Sequence, residues 1–281
     1  MKISKLLLFV AAGGITAIVG DASAADLPVK APRVAAYSWT GFYAGVNVGA
    51  GWGSRTVGYD PNDPLAISLF LAGGAPPPAS FGTSGALGGI QLGYNLQVST
   101  SWLVGVEADI DGSGIKGSGS TSGAYAPYFT APFNAPFQSE IDWLGTVRGR
   151  LGYLPTSNLL VYGTGGFAYG RVVQSGSWNT NTGFAVTDGF QSINCFGNPV
   201  CFAGSSSGTS TGWTAGAGFE YALWQKWTIR AEYLYVSLGS GGTVTEAVVG
   251  PTPGTSPSSF NANFGRTNFN VVRVGLNYEF H

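Results

Sequence analysis

Asn268-Phe269-Asn270-Val271-Val272-Arg273-Val274-Gly275-Leu276-Asn277-Tyr278-Glu279-Phe280 is the stretch that decides the fold. Taken two residues at a time, Val272, Val274, Leu276, Tyr278 and Phe280 share one face. Val271, Arg273, Gly275, Asn277 and Glu279 share the other. A period of two is that of an extended strand, whose successive side chains point to opposite sides. An apolar face ending in aromatics, backed by a face carrying Arg, Asn and Glu, suits a strand between lipid and a polar barrel lumen.

The same alternation recurs along the chain. Phe42, Ala44, Val46, Val48, Ala50 and Trp52 oppose Gly41, Tyr43, Gly45, Asn47 and Gly49. Ile90, Leu92, Tyr94 and Leu96 oppose Gln91, Gly93 and Asn95. Further strands are expected over 102–111, 141–153, 159–171, 213–223 and 227–236. The inward face of 159–171 is not set by its Gly-rich sequence. With 39–52, 86–96 and 268–280 these segments make eight. The links near 97–101, 154–158 and 224–226 are tight, whereas 53–85, 112–140, 172–212 and 237–267 are long. Long extracellular loops alternating with short periplasmic turns are the pattern of an outer-membrane barrel. The expected fold is therefore all-β, an eight-stranded antiparallel up-and-down transmembrane β-barrel over residues 39–281 with four long extracellular loops.

Composition agrees. Only 10% of the 281 residues are charged, against roughly 25% in soluble domains. Low charge with 14% aromatics argues against a nucleic-acid partner and against an acidic disordered segment. A formal net charge of −1 offers no steering field. At the N-terminus, Lys2 and Lys5 precede an apolar run from Leu6 to Val19, and Ala22-Ser23-Ala24 offers a small-residue cleavage site. Residues 1–24 read as a signal peptide cut after Ala24 or Ala25. The run contains Gly13, Gly14 and Thr16 and is short for a spanning helix. Residues 25–38, with Pro28 and Pro32, form a periplasmic lead-in. No long apolar run follows, so a closed barrel is the remaining way to span lipid.

The strand charges share one parity. Glu107, Asp109 and Asp111 lie opposite Trp102, Val104, Val106, Ala108 and Ile110. Arg148 and Arg150 lie opposite Ile141, Trp143, Val147 and Leu151. Glu220, Arg230, Glu232 and Arg273 face the same way in the later strands. A soluble β fold would turn these charges outward, but the presumed outer faces repeat aromatics near strand ends, as interfacial girdles do. An eight-stranded interior is only wide enough for side chains to fill. Glu107 and Asp109 are expected to pair with Arg148 and Arg150, and Glu220, Arg230, Glu232 and Arg273 to form a second cluster.

Cys195 and Cys201 are the only cysteines, and in an oxidising compartment such a pair is expected to form a disulfide. Further thiols and a nearby His are missing, so a metal site is not expected, and nothing indicates a cofactor. The single His281 stands at the last position, which suits no Ser-His-acid arrangement. Gly163-Thr164-Gly165-Gly166 lacks the Lys-Ser/Thr and helix of a phosphate loop. An enzyme is not expected. The triplets Ala126-Pro127-Tyr128, Ala131-Pro132-Phe133 and Ala135-Pro136-Phe137 read as a Pro-stiffened surface loop or an aromatic contact surface.

With these residues in place, the chain resembles the small Gram-negative outer-membrane β-barrels called porin-family or opacity-like surface antigens, of the OmpA type. The resemblance rests on Trp39-Thr40-Gly41-Phe42-Tyr43-Ala44-Gly45, Gly145-Thr146-Val147-Arg148-Gly149-Arg150-Leu151-Gly152-Tyr153, Tyr162 to Gly170, Arg230-Ala231-Glu232-Tyr233 and Val272 to Phe280. It implies outer-membrane localisation, contact with outer-membrane lipid, and a terminal signal at Tyr278 and Phe280 for the barrel-assembly machinery, from which the extra His281 departs. It carries no catalytic residues. Three roles follow as expectations: a structural barrel plugged by charge pairs, a small-solute channel, or a surface protein holding a host or haem-like ligand through its loops. The sequence leaves the oligomeric state open.

Overall fold

The computed structural model of the chain describes residues 37–125, 131–180, 185–187, 191–195, 199–239, 241–249 and 255–280. The expected signal peptide, most of the lead-in, the Ala126-Pro127-Tyr128 triplet and His281 lie outside them. Eight antiparallel strands close a ring: β1 (Gly41–Pro61), β2 (Ala79–Gln97), β3 (Trp102–Tyr125), β4 (Ala131–Thr156), β5 (Leu159–Thr180), β8 (Val200–Trp224), β9 (Trp227–Ser237) and β12 (Asn268–Phe280). The final strand closes on the first along a continuous register from Phe42 opposite Phe280 to Ser54 opposite Asn268. Two short strands, β6 (Ala185–Thr187) and β7 (Ser192–Asn194), form a separate hairpin, and β10 (Thr243–Val248) pairs with β11 (Ser259–Phe264).

The alternation places side chains as lipid requires. Phe42, Val48, Ile90 and Val106 are each about 60% exposed on the outer face, while Tyr43, Glu107 and Arg148 point inward and are buried. Left in water, a band of this kind would forgo roughly 25 cal/mol per Å² of apolar surface that lipid removes from solvent. Aromatics bound it on both sides. Trp102 packs edge-on against Tyr153 at 5.4 Å and Trp227 against Tyr278 at 5.1 Å at one rim. Trp143 meets Tyr169 at 5.8 Å and Trp213 meets Tyr235 at 5.5 Å at the other. Tyr153 and Trp143 are ten positions apart on β4. At about 3.3 Å per residue and a tilt near 40° that spans about 25 Å, the height of a barrel's apolar band. Among the described residues no helix is long and apolar enough to cross a membrane; the strands cross it.

Two of the four long segments expected as loops, 112–140 and 172–212, are largely strand, and the other two are strand in part. β3 and β4 stay paired from Trp102 opposite Tyr153 up to Tyr125 opposite Ala131, far past the outer girdle. Above the membrane the ring changes members. The upper part of β1 leaves β12 and pairs with β11 from Val57 to Pro61; β11 pairs with β10, and β10 meets β8 at Ala203 and Phe202. One hairpin thus replaces β9 and β12 in the extracellular wall.

Two features correct the sequence expectation in detail. Ile141, expected on the outer face, is 4% exposed inside, because the β4–β5 register shifts between Ile141 and Trp143. A bulge of one residue inverts the inward parity of everything beyond it. Phe133 and Phe137, expected in a surface loop, also face inward on β4; Phe133 stacks on Trp178 at 4.8 Å. The inward parity of β5 is even-numbered, with Leu160, Tyr162, Ala168 and Val172 buried.

Part of the first long segment is a plug. Asp63 caps a short helix, α1 (Pro64–Leu69), accepting from the amides of Leu65 at 3.1 Å and Ala66 at 2.9 Å. A π-helical turn over Phe70–Gly74 follows, with Gly73 at φ 90°, where a side chain would be strained. The same Asp63 carboxylate accepts from Ser258 Oγ at 2.9 Å and the Ser259 amide at 2.7 Å, pinning the helix to β11. Leu65, Ala66 and Leu69 then bury against Phe133, Trp178, Phe202 and Phe260 in the extracellular mouth.

Candidate functional site

The inward parity of the membrane-spanning strands carries buried polar residues, and most of them find a protein partner. Arg148 on β4 reaches three carboxylates: Glu107, Asp109 at 2.8 Å and Glu232 at 2.9 Å. Its Nε donates to Thr146 Oγ1 at 2.9 Å. Arg273 on β12 bridges Asp109 at 2.8 Å, Asp111 at 2.9 Å and Glu232 at 2.9 Å. Arg150 holds Glu220 at 2.7 Å and lies over the Tyr162 ring, 4.1 Å from its centroid. Arg230 pairs with Glu107 and donates to Gln91 Oε1 at 2.6 Å. The two clusters suggested by the sequence are one continuous network, because Glu107 and Glu232 each serve guanidiniums from both groups.

Neutral side chains complete it. Tyr43 donates its hydroxyl to Glu107 at 2.5 Å and accepts from Arg150 at 2.7 Å. Gln91 donates to Asn277 at 2.5 Å, and Asn277 donates to Glu220 at 2.6 Å; Thr228 also donates to Glu220. Gly93 is needed beneath Tyr43, since a Cβ there would overlap the phenol ring. These bridging residues were not singled out from the sequence, although Tyr43, Gln91 and Asn277 share the parity of the charges. That shared parity was the available signal.

The network lies between apolar layers. On the periplasmic side, Trp39 is fully buried with Leu103, Leu154, Leu160 and Ala222, and its Nε1 donates to the Ser157 carbonyl at 3.0 Å. On the extracellular side, Leu87, Ile115, Ile141, Leu144, Leu234 and Phe269 form the next layer. Above the outer girdle, Arg55 donates to Ser139 Oγ and to the Gly265 carbonyl at 3.2 Å; burial lowers its guanidinium to about 10. Phe81, Phe137, Val244 and Phe264 follow, and then the α1 cluster. Glu246 on β10 is 1% exposed with no hydrogen-bond partner on either oxygen, and burial raises its carboxyl to about 8.

Cys195 and Cys201 form a disulfide. Both sulfurs sit within the α1 cluster, 3% and 1% exposed, so the bond belongs to the mouth's apolar packing rather than to an exposed tip. Tyr278 and Phe280, the expected assembly signal, stand at the periplasmic girdle, 5.1 Å apart, with Phe280 pointing outward. Among the described residues no group of three or more His, Cys, Asp or Glu side chains could hold a metal ion.

Comparison with known proteins supplies a family. A model of the outer membrane protein beta-barrel domain matches residues 22–280. The 31 kDa outer-membrane immunogenic protein of Brucella melitensis biotype 1 is 34% identical over 271 residues, which cover 92% of this chain and 94% of that protein. The 22 kDa outer membrane protein of Rhizobium leguminosarum bv. viciae is 28% identical over 211 residues, 75% of this chain and 70% of that protein. Among solved structures, the outer membrane protein OprG from Pseudomonas aeruginosa covers 87% of this chain and 98% of its own at 14% identity, with a TM-score of 0.43.

Proposed function

The chain belongs to the outer membrane protein beta-barrel family and is an outer-membrane protein, and from that premise we propose that it is a closed, structural barrel contributing to envelope integrity. The observation that carries this reading is the layered interior. A guanidinium–carboxylate network with side chains at most 1% exposed lies between two apolar layers, and a helix fills the mouth above. Water and ions crossing such a lumen would have to displace paired charges, and breaking one such pair costs about 3–5 kcal/mol. The interior charges serve cohesion here rather than selectivity, and no catalytic role is assigned to them. Tyr278 and Phe280, in the last residues of β12, are the residues we assign to recognition by the barrel-assembly machinery.

A cell test follows. Removing the protein from its bacterium should raise leakage of periplasmic enzymes and sensitivity to detergent. A plasmid copy should restore both. A deletion strain indistinguishable from its parent under both stresses would refute the envelope role.

A further inference from the structure

Outside the lumen, the extracellular wall holds one feature that a plugged barrel does not require. The β4–β5 pairing runs from Asn134 opposite Asn179 directly to Phe137 opposite Gly176, leaving out the steps at Ala135 and Pro136. Proline has no amide hydrogen to give the ladder. At this break a cleft of about 930 Å³ opens, lined by Ser118, Ser120, Asn134, Gln138, Ser177 and Asn179 around the Pro136 ring. Every one of these polar side chains is neutral, and each offers a hydroxyl or an amide.

One observation shows polar capacity left unmatched there. Asn179 Oδ1 is buried and has no hydrogen-bond partner. A buried acceptor without a donor is costly and calls for a partner.

We propose that this cleft binds the sugar portion of a glycolipid in the outer leaflet surrounding the barrel. Neutral hydroxyl and amide groups match a polyhydroxyl ligand better than an ion or an acyl chain. Position selects the source. Gln138 and Asn134 lie five and nine residues beyond the girdle residue Trp143 on the same strand. At about 3.3 Å per residue and a tilt near 40° they stand roughly 13 and 23 Å above the interface, the level of headgroup sugars. The cleft also lies on the outer face of the wall rather than at the mouth, so it faces neighbouring membrane molecules. A ligand already confined to the leaflet binds at high effective concentration.

The test uses the full barrel refolded into nanodiscs containing purified lipopolysaccharide, with native mass spectrometry reporting bound glycolipid. Ser177→Trp fills the cleft, Asn179→Ala removes an acceptor, and Thr209→Trp is an outer-wall control on β8. Wild type and Thr209→Trp should retain glycolipid. Ser177→Trp should lose at least tenfold and Asn179→Ala several-fold, with the heat-modifiable gel shift of all four unchanged. Lipid A without the core oligosaccharide, and core oligosaccharide free in solution, should both bind at least tenfold more weakly than the intact molecule. Equal retention by Ser177→Trp, or equal binding of lipid A, would overturn the site. Free oligosaccharide binding as tightly as the intact molecule would overturn the glycolipid source.

Discussion

At Arg148 three carboxylates from two other strands converge on one guanidinium, with Thr146 accepting from its Nε. The planar fork with five donors makes this geometry available to Arg and not to Lys. Removing it would leave Glu107, Asp109 and Glu232 sharing the other guanidiniums in a buried interior. Arg148→Leu should therefore lower stability by about 3–5 kcal/mol, read from urea unfolding in micelles by the gel shift. Arg148→Lys, which keeps the charge, should fall between. A loss below about 1 kcal/mol for the leucine variant would mean the network is not cohesive. The parity of these charges was legible in the sequence, since each lies opposite apolar or aromatic neighbours. Their exact partners were not. Parity says which way a side chain points, but pairing across the lumen depends on which strands face each other and at what height.

At the scale of elements, what was legible followed apolar alternation. The membrane-spanning parts of β1, β2, β3, β9 and β12 could be placed because one face meets lipid and must be apolar. The extracellular extensions have no such face. Gly117-Ser118-Gly119-Ser120 and Ser205-Ser206-Ser207-Gly208 are polar or small on both sides, so their strand state comes from pairing with neighbours rather than from local pattern. The parity inversion between Ile141 and Trp143 leaves no mark in composition. Asp63-Pro64 was the one missed local signal, an N-cap residue followed by proline at the first helical position.

The extension also carries its own titration. Glu246 faces Tyr59 of β1, and no basic side chain lies in hydrogen-bonding contact with it. Burial holds its carboxyl near 8 in the folded wall against about 4.5 in the unfolded chain. A raised carboxyl favours the protonated, folded form, so its contribution is full below about pH 4.5 and is lost as pH rises towards 8. Hydrogen exchange in β10 and β11 should quicken between pH 5 and 8 beyond the intrinsic chemical rate, and Glu246→Gln should abolish that excess. An excess unchanged in the glutamine variant would exclude Glu246 as its source.

For the whole molecule, the interior is a stack: an apolar stopper at Trp39, the charge network, an apolar layer, the Arg55 level, a second apolar layer and the helix-capped mouth. An eight-stranded wall leaves room for side chains alone, and here large side chains occupy each level. The overall architecture could be anticipated from alternating link lengths and strand parity. The capped mouth could not, because it depends on a six-residue helix folding back into the barrel. Closure of the lumen is the central claim, and conductance tests it most directly. The refolded wild-type barrel, recorded in a planar lipid bilayer in molar salt, should show no steady single-channel current at any voltage the bilayer tolerates. A steady, reproducible unit conductance from the folded, heat-modifiable species would contradict the account.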